Sequence, residues 1–124
     1  MEVRRDISES VEVLQSNLNQ AARVSEWAHL MGYNCPKKFA RKFLRHYYER
    51  PQSYLTYIRL KSIVDNLRRG RRSNFQIAIE HGIPDEIALN KFVNYHMGCS
   101  PTCVKNMSDK EVGAKLENFG SKDR

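Results

Sequence analysis

The chain has 124 residues, 40% hydrophobic and 28% charged, with a net charge of +7. That is enough for one domain with a modest core, too apolar for a disordered polyelectrolyte, and without any apolar run near the roughly 20 residues of a membrane span. Three cysteines with no CxxC pair and four scattered histidines exclude a disulfide framework and any metal-ligand spacing.

The start, MEVRRDISES, lacks the apolar region of a signal peptide, so the expected compartment is the reducing cytoplasm. Residues 1–5 read as a frayed start. Asp6 and Glu9 fit a capping box, and Ile7, Val11, Leu14 and Leu18 recur at helical spacing, predicting a first helix over about 7–19. A short second helix follows over 24–31, with Trp27, Ala28 and Met31 on one face and Gly32 at its end. Asn34 is a candidate cap and Pro36 a first-turn residue for a third helix over 35–47. Its apolar edge is Phe39, Phe43 and Tyr47; its other faces carry Lys37, Lys38, Arg41, Lys42 and Arg45.

Arg50-Pro51 breaks that helix and opens a fourth over about 52–69, stopped by Gly70. Arg68, Arg69, Arg71 and Arg72 bracket its end, where they suit the helix dipole or a DNA backbone equally well. Ser73 with Gln76 fits a second capping box, and FQIAIEHG a short helix. An amphipathic helix ending at Met97 uses Ile87 or Ala88, then Leu89, Phe92 and Val93. Pro101 starts a last short helix to about Asn106; residues 107–124 are a polar, charge-balanced tail with at most a short helix near 109–118. The aromatics Trp27, Phe39, Phe43, Tyr47, Tyr54, Phe75 and Phe92 read as core, and His29, His46, His81 and His96 as incidental surface or core residues.

The chain therefore reads as all-α, with about seven helices. Two features say more than the element list. Residues 35–72 hold 12 Lys or Arg against two acids, a net of +10, while 1–34 sum to −2, 73–106 to −1 and 107–124 to zero. A protein with one face docked on phosphates has this distribution. The second feature is a repeat: Gly32 recurs as Gly82 and Pro51 as Pro101, each displaced by 50 residues. A short helix, a glycine turn and an amphipathic helix, repeated across one long helix, make two helix-turn-helix units.

AHLMGYNCPKKFARKF, PQSYLTYIRLKSIVDNL, IAIEHGI and GCSP together resemble the DNA-binding domain of the AraC/XylS family of bacterial transcription regulators, over residues 8–106. Pro51, Tyr54, Leu55, Arg59 and Leu60 match the family's linker-helix pattern. Tyr48 stands where the family has glycine. Ile83 and Pro84 replace its Phe-Ser, and Leu89, Lys91 and Val93 replace its Phe-x-Arg-x-Phe core. The resemblance implies a DNA-binding domain over 7–106, with a first motif at about 24–47, the linker at 52–69 and a second motif at 74–97. It implies a transcription regulator, an activator, that binds double-stranded DNA as a monomer, with RNA polymerase as a possible second partner. Each motif's second helix would enter a major groove, the two grooves about 34 Å apart.

By position, Lys37, Ala40 and Arg41 match the family's base-facing sites. Arg41 suits a bidentate contact to guanine O6 and N7. Lys38, Lys42 and Arg45 flank it and suit phosphates or plain solvation. On the second helix the matching residues are Glu86, Ile87, Asn90 and Lys91: Asn90 suits adenine, Lys91 phosphate, and Glu86 either cytosine N4 or repulsion from the backbone. The expected reader is unequal, with the first motif anchoring. No phosphate-binding glycine loop, HExxH or recognisable nucleophile setting occurs, so neither an enzyme nor a cofactor is expected. The competing expectation is an AraC-like module whose divergent second motif binds a polymerase subunit or another regulator. The length leaves no room for the effector-binding domain many family members carry, so the sequence is either a stand-alone regulator or one domain of a longer one.

Overall fold

A computed structural model describes residues 4–122, with side chains through 117. Among the described residues it contains α1 (Ser10–Ser16), α2 (Val24–Leu30), α3 (Pro36–Tyr47), α4 (Pro51–Arg69), α5 (Asn74–Glu80), α6 (Glu86–Met97), α7 (Pro101–Lys105) and α8 (Asp109–Lys122), and no strand. No helix is long and apolar enough to cross a membrane among those residues.

The repeat governs the architecture. α2, α3 and the start of α4 recur as α5, α6 and α7, each displaced by 50 residues. Both turns share one hydrogen-bond pattern: the Tyr33 and Ile83 amides each donate back to an alanine carbonyl, Ala28 and Ala78, at 2.9 Å. Gly32 (φ 83°) and Gly82 (φ 72°) sit left-handed there, where a Cβ is costly. At Gly82 a Cβ would also meet the Ala22 side chain at 3.3 Å.

Two cores follow. The first packs Trp27, Met31, Phe39 and Phe43 with Leu14 and with Leu55 and Ile58 of α4. The second packs Ile77, Leu89, Val93, Met97 and Val104 with Leu60, Ile63, Val64 and Leu67 of the same helix. One 19-residue helix, about 28 Å long, thus supplies apolar faces to both halves, and Tyr57 packs against both clusters. That is why the relative placement of α3 and α6 is set by packing rather than by a flexible linker.

Several expectations need correction. The predicted first helix divides into a 3₁₀ turn at Ile7–Glu9 and α1, though the Asp6–Glu9 capping box is present. Asn34 does not cap α3; Cys35 holds that position, and the backbone N–H groups of Lys38 and Lys37 keep its thiol below the ordinary cysteine range. Of the frayed start, residues 1–3 lie outside the described residues. Arg4 and Arg5 are held: the Arg5 amide donates to the Met31 carbonyl at 3.0 Å, and the Arg4 guanidinium lies 4.7 Å above the Tyr33 ring. Phe75 is not core but 52% exposed, because α5 turns Ile77 and Ala78 inward and a residue two positions earlier points away. The polar tail is instead mostly α8, since Val112 and Leu116, one turn apart, join the second core; positions 123–124 lie outside the described residues.

Tyr48 is the exception to the glycine rule. It closes α3 with φ 60°, where the repeat places Gly98 with φ 77° at the end of α6. Tyr48 is 86% exposed and holds the conformation without burial. Tyr48→Gly is expected to raise unfolding free energy by about 1 kcal/mol, the approximate cost of a left-handed non-glycine residue. A urea midpoint unchanged or lowered in the variant would show that the Tyr48 side chain contributes a compensating contact.

Candidate nucleic-acid interface

α3 begins where Pro36 fixes a helical φ and ends at Tyr48. Phe39 and Phe43 point into the core, and their rings lie 5.2 and 5.0 Å from Trp27, itself tied by Nε1 to the Ser10 carbonyl at 3.0 Å. Tyr47 continues that edge, its hydroxyl donating towards the Ile7 and Ser8 carbonyls. With the aromatic edge fixed, Lys37, Arg41 and Arg45, four residues apart, form a stripe on the far side; all three are exposed, as are Lys38 and Lys42 beside them. Ala40 is half-buried at the edge of the stripe rather than fully outward.

Among the described residues, none of these five cations is in an ion pair with an acidic side chain, although Lys42 acts electrostatically on Asp6. Arg68 pairs with Asp109 and Arg72 with Glu80, and neither pair involves α3. Lys38, Arg41, Lys42 and Arg45 instead line an open groove of about 570 Å³, closed on its other side by Arg4, Ile7 and Tyr33. Asp6 is occupied with the Ser8 amide and hydroxyl, which, ahead of Lys42 and His46, hold its carboxyl below the usual range. Uncompensated positive charge along a concave track is a surface for a polyanion. Arg4 belongs to that surface and carried no sequence signal, since only the tertiary turn of the N-terminus brings it there.

The arginine cluster after α4 divides. Arg68 turns inward, donates to the Val104 carbonyl at 3.1 Å and to that of Met107, and pairs with Asp109, so it closes the end of α7 and the start of α8. Arg72 pairs with Glu80. Arg69 and Arg71 remain exposed.

On α6, Asp85 caps the helix by accepting from the Ala88 amide at 2.8 Å, and Leu89, Val93 and Met97 face inward. Ala88 is half-buried against the core and Ile87 is 67% exposed, which settles the alternative between them. Glu86, Asn90 and Lys91 are exposed with it. Tyr95, 84% exposed, shares the stripe four residues beyond Lys91. Its only mark in the sequence is its register with Arg45, 50 residues earlier.

Behind α6 the second unit is fastened to α4 by His81, buried at the end of α5. Its Nδ1 faces the Ile77 carbonyl at 2.6 Å and therefore carries the proton; Nε2 then accepts from the Ser62 hydroxyl at 2.8 Å. Burial, only partly offset by that carbonyl, lowers its pKa, so the neutral ring is the stable form. Arg59 reaches across from α4 to donate to the His81 carbonyl at 2.6 Å and lies over the Phe92 ring. The histidine is thus structural and not incidental.

No protein-family model matches this chain, and no curated protein matches it. Among solved structures, a transcriptional regulator from Chromobacterium violaceum, described as containing an AraC-type DNA-binding domain, aligns with a TM-score of 0.63 over 80% of this chain and 88% of its own, at 18% identity. The chain has the fold of that regulator. Within this AraC-type fold, the two matching helices are α3 and α6, and the structure gives them different surfaces. α3 is a cationic helix on an aromatic core; α6 is a mixed helix on an aliphatic one.

Proposed function

We propose that the chain is a sequence-specific regulator of transcription that binds duplex DNA, with residues 7–106 as the binding unit. The observation that carries this reading is the unpaired cationic surface of α3, in a fold that sets a second, equivalent helix at the far end of a rigid 19-residue spacer. α3 enters a major groove with Lys37, Ala40 and Arg41 towards the bases. Lys38, Lys42 and Arg45 hold phosphates along the groove that Arg4 completes. α6 enters the next groove with Glu86, Ile87, Asn90 and Lys91. The reading extends to activation by a monomer on bacterial DNA, in contact with RNA polymerase.

The test is selection of duplexes from a random pool by the purified protein, followed by titration at several salt concentrations. About six engaged phosphates predict an affinity loss on the order of a thousandfold between roughly 50 and 200 mM salt. Affinity that ignores salt, or that survives removal of the Lys37 and Arg41 charges, would overturn the proposal.

A further inference from the structure

The internal repeat gives every position on α6 a counterpart on α3. Along the outward stripe the pairs are Lys37 with Ile87, Arg41 with Lys91, and Arg45 with Tyr95. The two helices have the same length, and both bury the equivalent pair, Phe39 with Phe43 and Leu89 with Val93. The change of chemistry is therefore not a rotated helix presenting a different face. It is the same face with two of its three cations replaced.

Ile87 has no structural employment. It is 67% exposed, the core beneath α6 is filled by Leu89, Val93 and Met97, and a β-branched residue gains nothing from an exposed helical position. The surroundings indicate what it meets. Lys91 keeps a positive charge in the middle of the stripe, and the exposed Asn90 lies beside it. Ile87 and Tyr95 are eight positions apart, about 12 Å along the helix, with that lysine between them. A protein partner would call for a contiguous apolar patch. Isolated apolar contacts set among hydrogen-bonding residues fit the floor of a major groove, where the one apolar feature of a base edge is the thymine C5-methyl group.

We infer that Ile87 reads the methyl group of a thymine in the second major groove. The chain then recognises a chemically split site, by charge and hydrogen bonding under α3 and by methyl contact under α6. The inference rests on the proposed duplex binding and adds the base that the second helix selects.

Deoxyuridine differs from thymidine only in that methyl group and pairs identically, which makes it the probe. In the duplex selected from the random pool, each thymidine within the footprint is replaced singly by deoxyuridine. One replacement is expected to weaken binding by the wild-type chain about fourfold, the equivalent of about 0.8 kcal/mol for one buried carbon. The same replacement leaves Ile87→Ala unaffected. Ile87→Lys, which restores the residue of the first repeat, loses the thymine preference at that position in a repeated selection. Circular dichroism checks that both variants keep the helical content. Wild-type binding indifferent to every deoxyuridine overturns the inference while leaving DNA binding intact, as does a loss that persists undiminished in Ile87→Ala. In either case the apolar positions of α6 are left to a protein partner. A chain that selects no duplex overturns the DNA reading and this inference together.

Discussion

Arg41→Ala is expected to lower affinity for the selected duplex about fivefold to 150-fold, and Asn90→Ala to lower it far less. The first figure corresponds to the roughly 1–3 kcal/mol of a bidentate base contact. Arg41 sits in the middle of an exposed stripe with a lysine or arginine one turn to either side, and it takes no part in the ion pairs of Arg68 and Arg72. Asn90 occupies the equivalent of Ala40, at the edge of a helix whose stripe keeps a single cation and whose first turn carries Glu86. A carboxylate near phosphates opposes the approach that a short amide needs for a good hydrogen bond. The two variants are compared by titration with one duplex at one salt concentration. Equal losses would mean that both helices are seated alike, and the unequal reader would be abandoned. A salt slope shallower by about one in Arg41→Ala, with relative affinities for altered sites unchanged, would assign Arg41 to a phosphate instead of a base.

The fold was legible in the sequence largely because the sequence states it twice. Phe39 and Phe43 could be paired with Leu89 and Val93, and Gly32 with Gly82, so a weak helical signal in one copy was supported by the other. Where the copies disagree, sequence reasoning lost its check. Phe75 answers to Ser25, so only its aromatic character suggests core; its register, two residues before Ile77, leaves it exposed. Periodicity also left Ile87 and Ala88 undecided, because a one-residue phase error rotates a helix face by about 100°. Other features were invisible for another reason: the partner is distant in the chain. Arg68 looked like a solvated helix terminus until it met Val104 and Asp109, and His81 acquires its role only from Ser62 on α4. α8 was underestimated because two apolar residues in a polar segment are weak evidence of a helix, yet they suffice to anchor one when a core is already formed. The candidate interface was legible as charge, since exposed lysines and arginines need no partner to declare themselves. Its groove, and Arg4 within it, required the tertiary fold.

Trp27→Ala is expected to cost about 3–5 kcal/mol of stability, roughly a fifth or more of what a domain of this size has available. The ring is fully buried, contacts both Phe39 and Phe43 edge-on, and donates its Nε1 hydrogen to the Ser10 carbonyl. Its removal leaves a cavity under α3 and an acceptor without its donor, and the cations of α3 keep their alignment only while Phe39 and Phe43 have something to pack against. Urea unfolding followed by far-ultraviolet circular dichroism measures the cost. A loss below about 1 kcal/mol would mean that the aromatic cluster repacks. The wild-type chain supplies a complementary test of the spacer. Trp27 is the sole tryptophan, so its fluorescence follows the first core alone, while circular dichroism follows both. Because α4 contributes Leu55 and Ile58 to one core and Leu60 to Leu67 to the other, neither half can lose its packing without weakening the helix the other needs. The two signals should therefore trace one transition. Fluorescence that falls at lower urea than helicity would mean that the halves unfold separately, and a helix that does not couple their folding could not fix α3 and α6 at one spacing on DNA.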